Sequence, residues 1–196
     1  MTKVIGVDMD EVLAELVDYA LEHHDYKISW KIIKRENIID YYIHKLVDYD
    51  LSLEQALDWF RDALFSDNDN LSMKPVLWAM DKIKEHIDLW YSFKIVTARN
   101  WDLFWDYTRK WINKHYPNIF EEIIFANHFS KEEKTKSQIC IENNIAHMVE
   151  DNIDYALDLA NNWIKTFLIE KPWNSSRKEV HPNIIRVKSW DEIYFN

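Results

Sequence analysis

The sequence predicts an α/β fold in which a mainly parallel sheet is covered by helices on both faces. Three observations lead there. Short apolar runs alternate with helical patterns from residue 75 onward, the signature of β-α-β units. Several of those runs end in polar or acidic residues, so functional groups gather at strand ends. The region 26–70 shows helical patterns and no strand-like alternation, as expected of an insertion rather than part of the sheet.

Taken in order, Val4-Ile5-Gly6-Val7 reads as a short strand buried on both faces. Asp8 and Asp10 follow it, and Val12-Leu13, Leu16-Val17 and Ala20-Leu21 then continue as a helix to about His24. Further helices are expected over 29–35, 36–48 and 52–66. The last has Ser52 as N-cap and Gln55 as its capping-box partner. SDNDN at 66–70 is a polar turn cluster. Pro75 is expected in a first helical turn leading on to Ile87. Strands follow at 91–97, 122–126, 147–151, 163–169 and 184–187. Between them lie helices over 101–116, 134–143 and 153–162, the last capped by Asn152, and a short helix ends the chain at 190–195. The domains expected are a core made of 1–15 and 75–196, and a helical cap at 16–74.

Composition narrows the function. A formal net charge of -10, with no Lys/Arg-rich block, argues against a nucleic-acid surface. A phosphorylated ligand stays open, provided positive charge is supplied locally. Gly6 is the single glycine, which removes glycine-rich phosphate loops of the P-loop and dinucleotide kinds. The single cysteine, Cys140, lies between Ile139 and Ile141 and reads as a buried structural thiol in a reducing compartment. The N-terminal stretch has no signal-peptide pattern and no apolar run approaches membrane-spanning length, so a cytoplasmic protein with no membrane partner is expected.

The chemistry starts at Asp8 and Asp10. Residues i and i+2 of a strand leave the same face, roughly 6.6 Å apart at about 3.3 Å per residue. They sit at the carboxyl end of a strand, where open α/β sheets place their ligands. Thr97 and the Glu150/Asp151 pair end two other strands and share that edge in a parallel sheet. An ionised Asp can attack phosphorus, and a second can protonate the leaving oxygen and then activate water. A phosphate dianion with Asp8, Glu150 and Asp151 sums to about -5, and like charges 4 Å apart cost about 4 kcal/mol per pair at an effective dielectric near 20. Mg²⁺ with one lysine offsets about three of those charges, and Mg²⁺ prefers such hard oxygen ligands. Blander readings stand beside these. Acids before a helix can simply complement its dipole, Thr97 alone is ordinary, and Arg99 by default is a surface partner for nearby acids. Lys131, Lys134 and Lys136 by default form a solvated helix start.

These residues carry a resemblance. DMDEV (8–12) resembles the DxDx[VT] motif of the haloacid dehalogenase superfamily. IVTARN (95–100), KSQIC (136–140) and VEDN (149–152) are similar to its second, third and fourth motifs, in order along most of the chain. The resemblance implies a Rossmann-like fold, a C1-type helical cap and Mg²⁺. By position it implies Asp8 as nucleophile and metal ligand. Asp10 becomes the acid/base, with its backbone carbonyl on the metal. Thr97, Ala98, Arg99 and Lys136 become the phosphate-binding residues, and Asp151 the remaining metal ligand with Glu150 assisting. Lys136 is preferred to Lys134 because it lies 14 residues before Glu150. DMD-x-VLA, KPWN (171–174) and RVKSW (186–190) look most like the 5'(3')-deoxyribonucleotidases, implying a phosphatase of deoxyribonucleoside monophosphates, monomeric or homodimeric. A sugar phosphatase and a catalytically weak nucleotide-binding module are the alternatives. Glu11 departs from the family's usual glycine and Glu150 from its usual aspartate. Trp30, Tyr41, Tyr42, Trp59 and Phe60 could stack on a base, or could instead be the cap's own core.

Overall fold

The computed structural model describes residues 3–23, 33–46, 51–66, 71–128, 131 and 133–195. Its centre is a six-stranded, wholly parallel sheet made of β1 (Lys3–Val7), β2 (Tyr91–Thr97), β3 (Glu122–Phe125), β4 (Ile145–Glu150), β5 (Lys165–Ile169) and β6 (Ile184–Val187), in the order β3-β2-β1-β4-β5-β6. The order reverses between β1 and β4, and that switch point opens a crevice at the strands' carboxyl ends. Val7 sits opposite Ile95 on one side and Val149 on the other. Asp8, Thr97 and Glu150 are thereby brought to one edge.

The helices are α1 (Leu16–His23), α2 (Leu53–Ser66), α3 (Ala79–Ile87), α4 (Trp101–His115), α5 (Lys136–Glu142), α6 (Ile153–Asn161) and the short α7 (Pro172–Ser175). Strand residues alternate between two cores, as period-2 geometry requires. Ile5, Val7, Phe93, Ile95, Val149 and Phe167 pack with α3, α4 and the tail residues Trp190 and Phe195. Val96, Ile145 and Met148 pack on the opposite face with Ile139 and Cys140 of α5 and Leu159 of α6. Helices therefore cover both faces. Cys140 belongs to the second core, where burial pushes its thiol up to about 12.

Several boundaries differ from expectation for local reasons. Residues 11–14 form a turn instead of opening the first helix: Leu13 and Ala14 both donate their amides to Met9 O, and Glu11 adopts φ 62. Pro75 is not in a helical turn. It forms an isolated bridge with Ala14, flanked by Glu15 N–Lys74 O at 2.9 Å and Val76 N–Leu13 O at 2.8 Å. The two chain crossings at 13–15 and 74–76 thus run side by side, and α3 starts only at Ala79. The expected helix over 36–48 is instead two 3-10 turns, Arg35–Asn37 and Ile43–Lys45. Between them Asp40 Oδ1 accepts from Tyr42 N at 2.8 Å, a side-chain bond that competes with helical pairing. Most of the expected 29–35 helix and of the 66–70 turn lies outside the described residues. The terminal helix is a single 3-10 turn, Trp190–Glu192.

Other local signals read correctly. Ser52 and Gln55 form the reciprocal cap of α2, at 3.1 and 2.9 Å. Asn152 caps α6 by accepting from Asp154 N at 2.8 Å. Among the described residues, no helix is long and apolar enough to cross a membrane.

Gly6 marks the tightest point of the central strand. A Cβ there would lie 2.6 Å from Met148 Sδ and 3.1 Å from Ile145 Cγ2. Gly6→Ala is expected to lower stability by about 1–3 kcal/mol through overpacking, read as a fall in the urea midpoint; an unchanged midpoint would show that Met148 moves aside freely.

Candidate active site

Lys136 is the hub of the crevice floor. Thr135 caps α5 and forms a capping box with Gln138, which fixes the helix start and points Lys136 inward. The Lys136 Nζ lies 2.8 Å from Asp8 Oδ1 and 2.7 Å from Glu150 Oε2, and all three side chains are at most 5% exposed. Lys134 instead pairs with Glu142 at the surface. Tyr155 of α6 places its ring 4.8 Å from the same ammonium. His128 Nδ1 lies 2.6 Å from the Tyr155 hydroxyl.

Asp8, Glu150 and Asp151 each bring a carboxylate oxygen within 4.8 Å of the others. Their remaining bonds are unequal. Glu150 Oε1 accepts from the amides of Asp151 and Asn152 at 3.2 and 3.1 Å, and Oε2 is taken by Lys136. Asp151 Oδ2 accepts from Trp173 Nε1 at 2.8 Å. Asp151 Oδ1 is buried with no hydrogen-bond partner.

Three carboxylates around one ammonium leave two negative charges without a counter-ion, and the electrostatics show it. Burial pushes the Asp8 carboxyl up to about 7, opposed by Lys136 and reinforced by Glu150 and Asp10. Burial, then Glu150 and Asp8, raise Asp151 well above the usual carboxylate range. Burial alone would lower Lys136, but Asp8 and Glu150 outweigh it and hold the ammonium above its ordinary value. The cluster therefore has to keep a proton or take up a cation. An all-carboxylate set with one unsatisfied buried oxygen suits a hard divalent ion, so these residues fit Mg²⁺.

Asp10 stands apart from that cluster. Its carboxylate receives Arg99 Nε at 3.0 Å and Arg99 Nη2 at 2.6 Å, a forked pair. Arg99 is not the surface partner its default reading suggests. It is 6% exposed and donates also to Thr108 Oγ1 of α4 at 3.0 Å. Burial would lower the guanidinium's pKa, but Asp10 raises it above its ordinary value. Thr97 is fully buried, and its Oγ1 accepts from Arg99 N at 3.2 Å. Asp10, Ala98, Arg99 and Asp151 open onto a cavity of about 570 Å³ roofed by Tyr41 and Phe60.

The aromatic residues of the roof divide. Tyr41, Tyr42 and Phe60 line the cavity, whereas Trp59 is 4% exposed and belongs to the core. Trp30 lies outside the described residues. Burial, then Tyr155, Asp151 and Asp8, raise the Tyr41 phenol well above its usual range.

No protein-family model matches the chain. A nucleotidase of Clostridium acetobutylicum is 28% identical over 166 residues, covering 83% of this chain and 77% of that protein. A haloacid dehalogenase-like hydrolase of Streptococcus pneumoniae superposes with a TM-score of 0.65 at 14% identity, covering 95% of this chain and 94% of that one. CbbY of Rhodobacter sphaeroides, solved with phosphate, gives 0.61 at 14% identity over 98% and 96% of the two chains. The chain has the haloacid dehalogenase fold. On that fold, the residues sequence reasoning left without a role are Glu11, Tyr155, His128 and the 171–174 segment. The segment follows strand β5 just as the Asp8 and Glu150 groups follow β1 and β4, and the same strand-end rule points to it.

Glu11 is the most consequential of these. It is 3% exposed at a left-handed backbone position. Oε1 accepts from Val17 N of α1 at 2.7 Å, while Oε2 meets Arg35 at 3.0 Å and Lys171 at 3.4 Å. Glu11→Ala is expected to cost about 2–4 kcal/mol by stripping partners from those groups. Glu11→Gly should be the less damaging of the two by about 1 kcal/mol, because glycine tolerates φ 62. Chemical denaturation of both variants checks the order, and the reverse order would contradict it.

Proposed function

We propose that this protein is a Mg²⁺-dependent phosphomonoesterase working through an aspartyl-phosphate, and that its substrates are deoxyribonucleoside 5'(3')-monophosphates. The observation that carries the reading is the buried convergence of Asp8, Lys136, Glu150 and Asp151, with Asp10 beside it at the cavity wall. The similarity to a nucleotidase and the fold shared with CbbY, solved with phosphate, support it. Residues 16–74 act as the cap over a core of 1–15 and 75–196.

Asp8 is the nucleophile. Its carboxylate oxygen bonds phosphorus as the bond to the leaving oxygen breaks, and Asp10 supplies that oxygen's proton. Water then attacks the aspartyl-phosphate, Asp10 takes the water's proton, and inorganic phosphate leaves with Asp8 restored. Arg99 pairs with and orients the ionised Asp10 carboxylate, the form that takes the water's proton. Lys136, Thr97 and the backbone at Ala98 and Arg99 bind the phosphoryl group, and Glu150 holds Lys136 in place. Asp8 and Asp151, with the Asp10 carbonyl, would hold Mg²⁺, which supplies positive charge to the phosphoryl oxygens. The apolar roof receives the base, with Tyr41, Tyr42 and Phe60 as stacking surfaces.

Asp8→Asn should reduce turnover of an aryl phosphate with Mg²⁺ to background, and retained activity would refute the mechanism. A panel of dUMP, dTMP, ribonucleotides and sugar phosphates tests the substrate: preference for the deoxyribonucleotides supports the reading, and preference for a sugar phosphate replaces it. Mg²⁺ affinity should also depend on pH. Burial pushes the Asp8 carboxyl up to about 7 and raises Asp151 as well; both must lose their protons to bind a cation, so affinity should climb as the pH rises from about 6 through about 7. Calorimetric titration measures this, and a flat profile would count against Asp8 as a ligand.

A further inference from the structure

The segment after β5 reaches back to Asp151 at two points. Trp173 Nε1 donates to the Asp151 carboxylate at 2.8 Å, and Asn174 Nδ2 donates to the Asp151 backbone carbonyl at 2.7 Å. Asn174 also donates to Ile169 O at 2.8 Å, which ties the clamp to the end of β5. Pro172 opens α7, and Asn174 Oδ1 accepts from Lys171 N at 3.2 Å, so this short turn is held in one shape. Trp173 and Asn174 are both buried.

The indole bond decides which way Asp151 faces. With Oδ2 occupied by Trp173, Oδ1 is the Asp151 oxygen left without a partner, in a residue that stands within reach of Asp8 and Glu150. Two cations approach the ring itself. The Arg35 guanidinium lies 5.6 Å and the Lys171 ammonium 6.0 Å from its centroid, within cation–π reach. Glu11 pairs with both cations. Arg35 comes from the helical region and Lys171 from the core, so cations from two parts of the chain reach Trp173.

We infer that Trp173 is a positioning residue that orients Asp151 for a divalent cation through its indole N–H, with Asn174 fixing the backbone beneath. The inference rests on the metal reading given above. Partners that orient a metal-binding carboxylate typically contribute 10–100-fold in metal affinity.

Calorimetric titration of Mg²⁺ into wild type, Trp173→Phe and Trp173→His separates the two ideas. Trp173→Phe keeps an aromatic ring for Arg35 and Lys171 but deletes the donor, and should bind Mg²⁺ about 10–100-fold more weakly. Trp173→His returns a ring N–H and should regain part of that loss. A role confined to packing would lower the melting temperature of both variants and leave Mg²⁺ affinity alone, which would overturn the inference. No Mg²⁺ binding by wild type would refute the metal reading instead. The wild-type indole ¹⁵N–¹H resonance of Trp173 gives a readout independent of any variant's folding. It should shift on Mg²⁺ saturation, and a resonance that stays fixed would overturn the inference.

Discussion

Three carboxylates and one ammonium share a buried space at the edge of the sheet, and much of the architecture exists to hold them there. Like charges this close repel unless opposite charge intervenes. Lys136 supplies some of it, reaching Asp8 and Glu150 from the start of α5. Two backbone amides at the α6 end of β4 support Glu150 from the other side. The parallel register of β1 against β2 and β4 is what makes this crowding unavoidable, because it aligns the ends of three strands. The remaining negative charge turns a strained arrangement into one receptive to a cation.

Most of the sheet was legible because its strands are short apolar runs punctuated by polar residues, and the doubly covered architecture followed from their alternation with helices. Asp8, Glu150 and Asp151 could be placed together from strand ends alone. What eluded sequence reasoning depends on contacts distant along the chain. Nothing near Arg99 announces that its guanidinium will be buried against Asp10 and Thr108. Pro75 looked helical because helix periodicity follows it, yet its pairing with Ala14, sixty-one residues earlier in the chain, governs its conformation. The 36–48 region failed in the opposite way, where a local side-chain bond from Asp40 defeated an apparently helical pattern.

Glu11 illustrates how a costly local choice can be offset at longer range. A left-handed backbone favours glycine, and the side chain there adds a buried charge. Both costs are offset by what the carboxylate gathers: the Val17 amide at the start of α1, a cation from the helical region and a cation beside α7. One departure from the related motif therefore links three separate parts of the chain.

The side-by-side crossings at 13–15 and 74–76 have a consequence for how such a protein can diversify. Backbone bonds between them hold the two ends of the intervening stretch a few ångströms apart whatever that stretch contains. Loop-closure entropy grows only slowly with length, so a longer or shorter excursion from the same doorway disturbs the sheet little. The doorway makes the intervening helices exchangeable, like a fitting on a fixed socket. The intervening stretch can then vary while the charged cluster at the sheet edge stays under separate constraint.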